Sequence, residues 1–402
     1  MREQGRAWFP RTWSAIRRAW THRSREISGA LLVLVALVAV LPRLVGPVHW
    51  TPDGLFYQAH IYEIRGDSES AALHREFSSP AAIAITEPDN RLGNPNWVTY
   101  SAQFYSRRWL VPLIAAAIYP VTGDRSLVYV SIAGYVLTGL LLFALLRRRF
   151  SDGVSLLVSI ACLLLPPVRT FGGYPLTDSW GLALEIGALI AALLALERGG
   201  RWIGVWALTM LALSFTRDST VVVLAAVAWV VLVTRTRRSG LVLGTGVVAS
   251  VPAFALFGAP LVRQLSYVLQ GFHPPTVVSW SYVSHHYPAA LSSVLRQDAH
   301  YPLGLSFPVF WFAVAAVLLA ALVYMFIASP RGDPFFMLSK GAFVGAAALI
   351  AASINYTGLR IELVFIPSIA VALALAVTRL LVPVREWLSH HGSLSSPAAV
   401  NR

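Results

Sequence analysis

Ile27-Ser-Gly-Ala-Leu-Leu-Val-Leu-Val-Ala-Leu-Val-Ala-Val-Leu-Pro-Arg-Leu-Val45 is almost purely aliphatic, and as a helix it is long enough to cross the roughly 30 Å hydrocarbon core of a bilayer. Shortly after it comes His49-Trp-Thr-Pro-Asp-Gly-Leu-Phe-Tyr-Gln-Ala-His60, which sets a carboxylate, Asp53, a few residues beyond the lipid edge. The rest of the chain reads as a scaffold for a site facing that carboxylate.

The character of the first run recurs throughout. Of 402 residues, 56% are hydrophobic and only 13% charged, and the mean hydropathy is +0.63, which excludes an ordinary soluble domain. Lipid offers no partner to backbone polar groups, so long unalternating apolar segments select a helical bundle over a barrel. The expected fold class is all-α, a polytopic membrane bundle of about ten transmembrane helices. They fall at 27–45, 126–146, 154–166, 179–196, 202–215, 220–233, 241–261, 307–327, 335–354 and 361–381.

A net charge of +13 would suit a nucleic-acid partner if the cations formed a patch, but they stand at span ends. With the amino end in the cytoplasm, that side holds 20 basic and six acidic residues, leaving 12 basic and 13 acidic for the other side and the membrane. The positive excess therefore reads as orientation and lipid anchoring, with both termini cytoplasmic and no nucleic acid bound. Residues 1–26 interleave arginines with Trp8, Phe9, Trp13 and Trp20 as a basic amphipathic surface segment. Leu41-Pro-Arg-Leu-Val-Gly-Pro-Val48 is a poor signal-peptide cleavage site, so the first helix is expected to be retained. Residues 27–384 form the transmembrane domain, and 385–402 a short cytoplasmic tail.

Two long external loops are expected, at about 46–124 and 262–306. The first carries Glu63, Asp67, Glu69, Glu76, Glu87 and Asp89, and closes on Trp109-Leu-Val-Pro-Leu-Ile-Ala-Ala-Ala-Ile-Tyr-Pro120. That last piece is apolar but short and framed by proline, which suits a helix lying on the outer surface. Taking it as an eleventh span would move Arg147, Arg148 and Arg149 outside. The second loop holds Trp280, Tyr282, Tyr287 and the pair His285-His286. Its aromatics fit sugar stacking or an interfacial belt, and adjacent histidines rarely face one ion together. Cys162 stands alone inside an apolar run, so no disulfide framework exists.

The notable polar residues gather on one side: Asp53, Asp124, Arg169, Tyr174, Asp178, Arg217, Asp218, His273, Arg360 and Glu362. Charges at the margins of membrane helices are expensive unless paired or functional, so a one-sided set implies an outward-facing cavity. Plainer roles compete at each position. Asp53, Asp124 and Asp178 each suit a turn or helix N-cap, Arg217 and Asp218 suit a local pair, and Arg360 suits snorkelling.

Thr51-Pro-Asp-Gly-Leu-Phe-Tyr57, Thr122-Gly-Asp124, Tyr174-Pro-Leu-Thr-Asp178, Thr216-Arg-Asp218 and Tyr356-Thr-Gly-Leu-Arg-Ile-Glu-Leu-Val-Phe-Ile-Pro367 carry a resemblance. Together they resemble the GT-C integral-membrane glycosyltransferases, a superfamily that includes protein O-mannosyltransferases and the aminoarabinose lipid A transferases. The motifs are short and degenerate but extend along the whole chain. The resemblance implies a polyprenyl-phosphate sugar donor, an acidic residue of the first external loop at the reacting centre, and inversion at the anomeric carbon. It also implies a plasma-membrane enzyme of the cell envelope acting on its outer face. Many relatives with protein or lipid acceptors have two adjacent acidic residues where this chain has Asp53-Gly54, which points to single-sugar transfer to a small or lipid-linked acceptor.

The chemistry agrees with those residue types. A phosphate leaving group needs no strong general acid, so the requirements are a base for the acceptor hydroxyl and cations for the phosphate. Asp53 is expected as the base, with Arg360 and Arg217 on the donor phosphate, because a guanidinium engages phosphate oxygens in pairs. Asp124 and Asp178 are candidates for a second carboxylate, and Tyr57, Tyr174, Arg169, Asp218 and His273 for lining the substrate. A divalent cation is left open as the one cofactor, and the acceptor as a glycan, lipid or protein hydroxyl. A transporter or flippase of lipid-linked saccharides is the rival reading; it should show inverted repeats, broken helices and midplane charges.

Overall fold

The computed structural model describes residues 8–86, 92–354 and 359–392, with side-chain placement for 25–85, 92–354 and 359–380. Arg2, Arg6, Glu87, Asp89 and Tyr356 lie outside the described residues. Among those described, every regular element is helical. The first, α1 (Trp8–Val45), joins the basic segment to the first span without a break. Then α2 (Pro52–Ile64), α3 (Glu69–Phe77), α4 (Pro80–Thr86), α5 (Pro95–Ala102) and α6 (Leu110–Thr122) occupy the first expected loop. The bundle continues with α7 (Ser126–Leu146), α8 (Asp152–Leu164), α9 (Pro166–Gly172), α10 (Asp178–Arg198), α11 (Arg201–Ser214), α12 (Thr220–Thr234) and α13 (Arg237–Phe257). A second connecting region contains α14 (Leu261–Leu269) and α15 (Trp280–His300), followed by α16 (Pro308–Ala328), α17 (Pro334–Ser353) and α18 (Ile366–Gly392).

Seven helical stretches among the described residues are long and apolar enough to cross a membrane, and α8 with α9 makes an eighth only as a pair bent by 71°. The chain is a multi-pass helical membrane protein. Of the ten expected spans, two fall below that length, α11 and α12 with 14 and 15 residues. At 1.5 Å per residue they reach about 21 and 22 Å, short of the roughly 30 Å hydrocarbon layer. Local chemistry explains the interruptions. Pro166 and Pro167 supply no N–H to continue the α8 ladder, and Gly199 and Gly200 both sit at positive φ, 67° and 57°.

The outward faces are apolar, as a lipid environment requires: Val309 is 83% and Ile327 77% exposed. With no hydrophobic gain between helices in lipid, small residues set the tightest contact. Gly341 and Gly345 of α17 meet α12, where a Cβ at Gly345 would stand 2.9 Å from the Val222 carbonyl oxygen. At one end of the bundle, Arg149 reaches both Glu197 of α10 at 2.9 Å and Asp333 at the start of α17 at 2.7 Å. Asp53 lies at the opposite end.

There, α6 lies across the bundle. The Leu110 amide donates to the carbonyl of Phe215, beyond the end of α11, and Arg125 donates to the carbonyls of Leu44 and Gly46, at the end of α1. Both ends of α6 are therefore at the Asp53 end, although Leu110–Leu146 is apolar enough to be counted as one 37-residue stretch. Gly123, with φ 57° and ψ −143°, makes the corner between α6 and α7. Aromatic packing adds α5 and α14 to this layer. Trp97 Nε1 donates to the Phe272 carbonyl at 2.5 Å, and Ser101 and Tyr267 share a hydrogen bond of 2.7 Å.

Candidate functional site

Thr51 is the N-cap of α2, its hydroxyl accepting the Gly54 amide at 3.2 Å, and Pro52 takes the first helical position. That frees Asp53 from capping and puts its carboxylate in the first turn, where the helix dipole favours an anion. The Tyr105 hydroxyl donates to Oδ1 at 2.5 Å and Arg360 Nη1 donates to Oδ2 at 2.5 Å. Burial alone would raise the Asp53 pKa, but Arg360, the Tyr105 hydroxyl and Arg108 overcome it and hold the carboxyl at about 2. The same burial and the adjoining Asp53 charge push the Tyr105 phenol well above its ordinary value.

Arg360 bridges to a second carboxylate. Its Nε donates to Asp178 Oδ1 at 2.8 Å, and its Nη2 stands 2.8 Å from Oδ2. The second contact is an ion pair without hydrogen-bond alignment, so both Nη2 and Oδ2 remain without a hydrogen-bond partner. Arg217 Nη2 lies 2.8 Å from the same Asp178 Oδ1, its stem crossing α10 at Gly181, where any side chain would collide with it. Burial opposes the Arg360 charge, yet Asp178 and Asp53 beside it raise its pKa well above the usual value.

An adjoining group continues the network. Asp218, between α11 and α12, pairs with Arg107 and, at 3.1 Å, with Arg108. Arg108 Nη1 also donates to the Tyr57 hydroxyl at 2.8 Å, and the Thr177 hydroxyl bonds the same oxygen at 3.2 Å. Burial would raise the Asp218 carboxyl, and the two arginines hold it well below the usual carboxylate range. Three carboxylates and four guanidiniums thus meet, leaving one excess positive charge. The side-chain Nε atoms of Arg107 and Arg108 are buried donors with no partner.

This centre gathers Asp53, Tyr57, Asp178, Arg217, Asp218 and Arg360. Four other residues expected to line it are elsewhere. Asp124 accepts from Tyr119 at 2.9 Å, Tyr62 at 3.3 Å and Gln58 at 3.4 Å, in a separate pocket with Glu76. There burial first, then the Asp124 charge, raise the Glu76 carboxyl to about 8. Tyr174 lies under the Arg43 guanidinium, 4.7 Å from it, and stacks on His49. Arg169 is exposed on α9, and His273 is exposed beyond α14. The helical period explains the separation of Asp124 from Asp53: Gln58 and Tyr62, which hold Asp124, are five and nine residues along α2, about 140° and 180° round the helix from Asp53. Arg217 and Asp218 are not a local pair, since each is bound by another segment.

Sequence reasoning missed Tyr105, Arg107 and Arg108. The available signal was a double arginine within an acid-rich loop, immediately before an apolar run. Among the described residues, no three His, Cys, Asp or Glu side chains converge as metal ligands. His285 and His286 stay on α15, where His286 stacks on Tyr282.

Fold and site define a polytopic helical membrane protein with a buried, ion-paired polar centre at one end of the bundle. The chain matches no protein-family model, and no curated protein is significantly similar to it.

Proposed function

We propose that the protein is a membrane glycosyltransferase that moves one sugar from a polyprenyl-phosphate donor to an acceptor hydroxyl, with the Asp53 end facing outward from the plasma membrane. The supporting observation is a buried carboxylate, Asp53, in direct contact with a guanidinium, Arg360, that keeps an N–H without a hydrogen-bond acceptor. An anion arriving at the centre meets an excess positive charge and the unpartnered donors of Arg360, Arg107 and Arg108. In the reaction, the acceptor oxygen forms a bond to the anomeric carbon as the carbon–oxygen bond to phosphate breaks. The proton passes to Asp53, and polyprenyl phosphate leaves.

At a pKa of about 2, Asp53 is ionised but weakly basic. Donor phosphate drawing Arg360 away removes the main charge that keeps the pKa low, so substrate binding itself raises the basicity. Arg217 then neutralises Asp178. The test is transfer of label from radiolabelled polyprenyl-phosphate sugars by purified protein in lipid with envelope extract, comparing wild type with Asp53→Asn. Transfer by wild type and at least a hundredfold loss in the folded variant is expected, while equal transfer by both removes Asp53 as the base.

A transporter reading has two observations of its own. Glu185, in the middle of α10, is fully buried with neither carboxyl oxygen partnered, and the α8–α9 span is broken. Donor that crosses the bilayer without sugar transfer in the same experiment would favour that reading.

A further inference from the structure

The wall of the bundle has an apolar gap where α8 and α16 stand apart with α18 behind them. Its volume is about 360 Å³, and its lining, including Ala161, Leu165, Phe310, Ala313, Val317 and Leu373, is entirely apolar. At roughly 30 Å³ for each small group, it takes about a dozen methylene-sized units. α16 rests mainly on α18 and is otherwise turned to lipid, so the gap lies within the hydrocarbon layer.

The roof of the gap is the bend from α8 to α9. The Tyr135 hydroxyl donates to the Leu163 carbonyl at 2.6 Å, and the Tyr135 ring lies against Gly172, so the bend is level with Tyr135. That is nine residues, about 14 Å, below the start of α7 at the Asp53 end. Measured from the other end, the 13 residues of α8 climb about 20 Å, again short of the roughly 30 Å apolar layer. Arg169 stands one turn along the chain from the gap-lining Leu165, with its amide bonded to the Leu165 carbonyl at 3.0 Å. Gly173, a further turn on, lies against the stem of Arg43: a Cβ there would meet Arg43 Cγ at 2.7 Å. Neither Arg43 nor Arg169 has a carboxylate partner among the described residues, in contrast to the four arginines of the Asp53 centre. At this depth the Arg169 guanidinium is costly without an anion, while Arg43 stands nearer the Asp53 end of α1, where its Nη2 donates to the Tyr174 hydroxyl at 3.4 Å.

We propose that this gap is a seat for one anionic glycerophospholipid, with an acyl chain between α8 and α16 and its phosphate on Arg169 and Arg43. The apolar gap opens to hydrocarbon, so a lipid chain is its natural filling, and two arginines without a carboxylate partner among the described residues select a net negative headgroup. The seat is separate from the centre, because Arg43 and Arg169 make no contact with Asp53, Asp178 or Arg360. A phosphate held there is not placed for attack at the Asp53 carboxylate, so the proposal stands whether or not sugar transfer is the activity.

Native mass spectrometry of the full chain, after exchange into detergent containing dioleoyl phosphatidylglycerol, dioleoyl phosphatidylcholine or polyprenyl phosphate, is the test. Wild type is expected to retain one phosphatidylglycerol at least tenfold more tightly than phosphatidylcholine. Arg43→Gln with Arg169→Gln should abolish that preference, and Ala313→Trp, which fills the gap, should abolish retention. Wild type that retains no lipid, or both glycerophospholipids equally, overturns the proposal without recourse to any variant. Retention of polyprenyl phosphate in place of phosphatidylglycerol also overturns it, assigning the seat to a lipid-linked saccharide carrier.

Discussion

One guanidinium, Arg360, joins Asp53 to Asp178, and neither carboxylate is replaceable by a neutral group without leaving a buried charge. Such losses cost about 3–5 kcal/mol, whereas the intact pair adds little net stability. The bond from Tyr105 is the separable part. Asp53 has a folded pKa of about 2 against 3.8 for the free side chain, so its stabilising contribution is present above pH 3.8 and is lost as the pH falls through 2. Tyr105→Phe removes a donor to the ionised form and raises the folded pKa. Acid unfolding, followed by intrinsic fluorescence, should therefore begin at higher pH in this variant while stability at pH 7 changes by only about 1 kcal/mol. An unchanged acid limb would mean that Arg360 alone sets the Asp53 pKa. Asp53, Asp178, Arg217, Asp218 and Arg360 were legible in the sequence because a charge at a span margin is conspicuous against an apolar background. Arg107 and Arg108 were not, since in a charged loop two arginines look solvated, and only the fold turns them onto Asp218.

Helix boundaries followed the same logic with different failures. Apolar length revealed α1, α7, α10, α13, α16, α17 and α18, because the hydrocarbon layer sets a minimum length. It gave the short lengths of α11 and α12, but it could not reveal that the chain continues past Pro166 as a helix bent by 71°, since composition carries no direction. Nor could it show which neighbours touch. The α12–α17 contact depends on Gly341 and Gly345, which share a face one turn apart, and a side chain at Gly345 has nowhere to go but into the Val222 backbone. Gly345→Leu should destabilise the fold by about 1–3 kcal/mol or more, read as a lower midpoint of thermal unfolding in detergent. Leucine at Gly204, where the Cβ direction is open, is the control and should leave the midpoint unchanged. Equal behaviour of the two variants would show that the close approach contributes nothing.

At the scale of the whole molecule, the arginine-rich turns that contain Arg149 and Arg238 lie at the end away from Asp53. By the positive-inside rule this supports the proposed orientation, with the Asp53 end outward. Single cysteines introduced for labelling at Ser106 and Arg237, in a Cys162→Ser background, should react with an impermeant maleimide in whole cells only at Ser106. Labelling of the reverse pattern would turn the proposed site to the cytoplasm. A different consequence follows from α11 and α12, whose apolar lengths are several ångströms too short for an ordinary bilayer while Leu208 and Leu232 still face outward. The membrane must pinch around that flank, drawing the two headgroup planes together. The protein would then be most comfortable in thin bilayers. Water and phosphates on that side would descend toward Arg217, bringing a centre that is buried within the protein close to the headgroup plane.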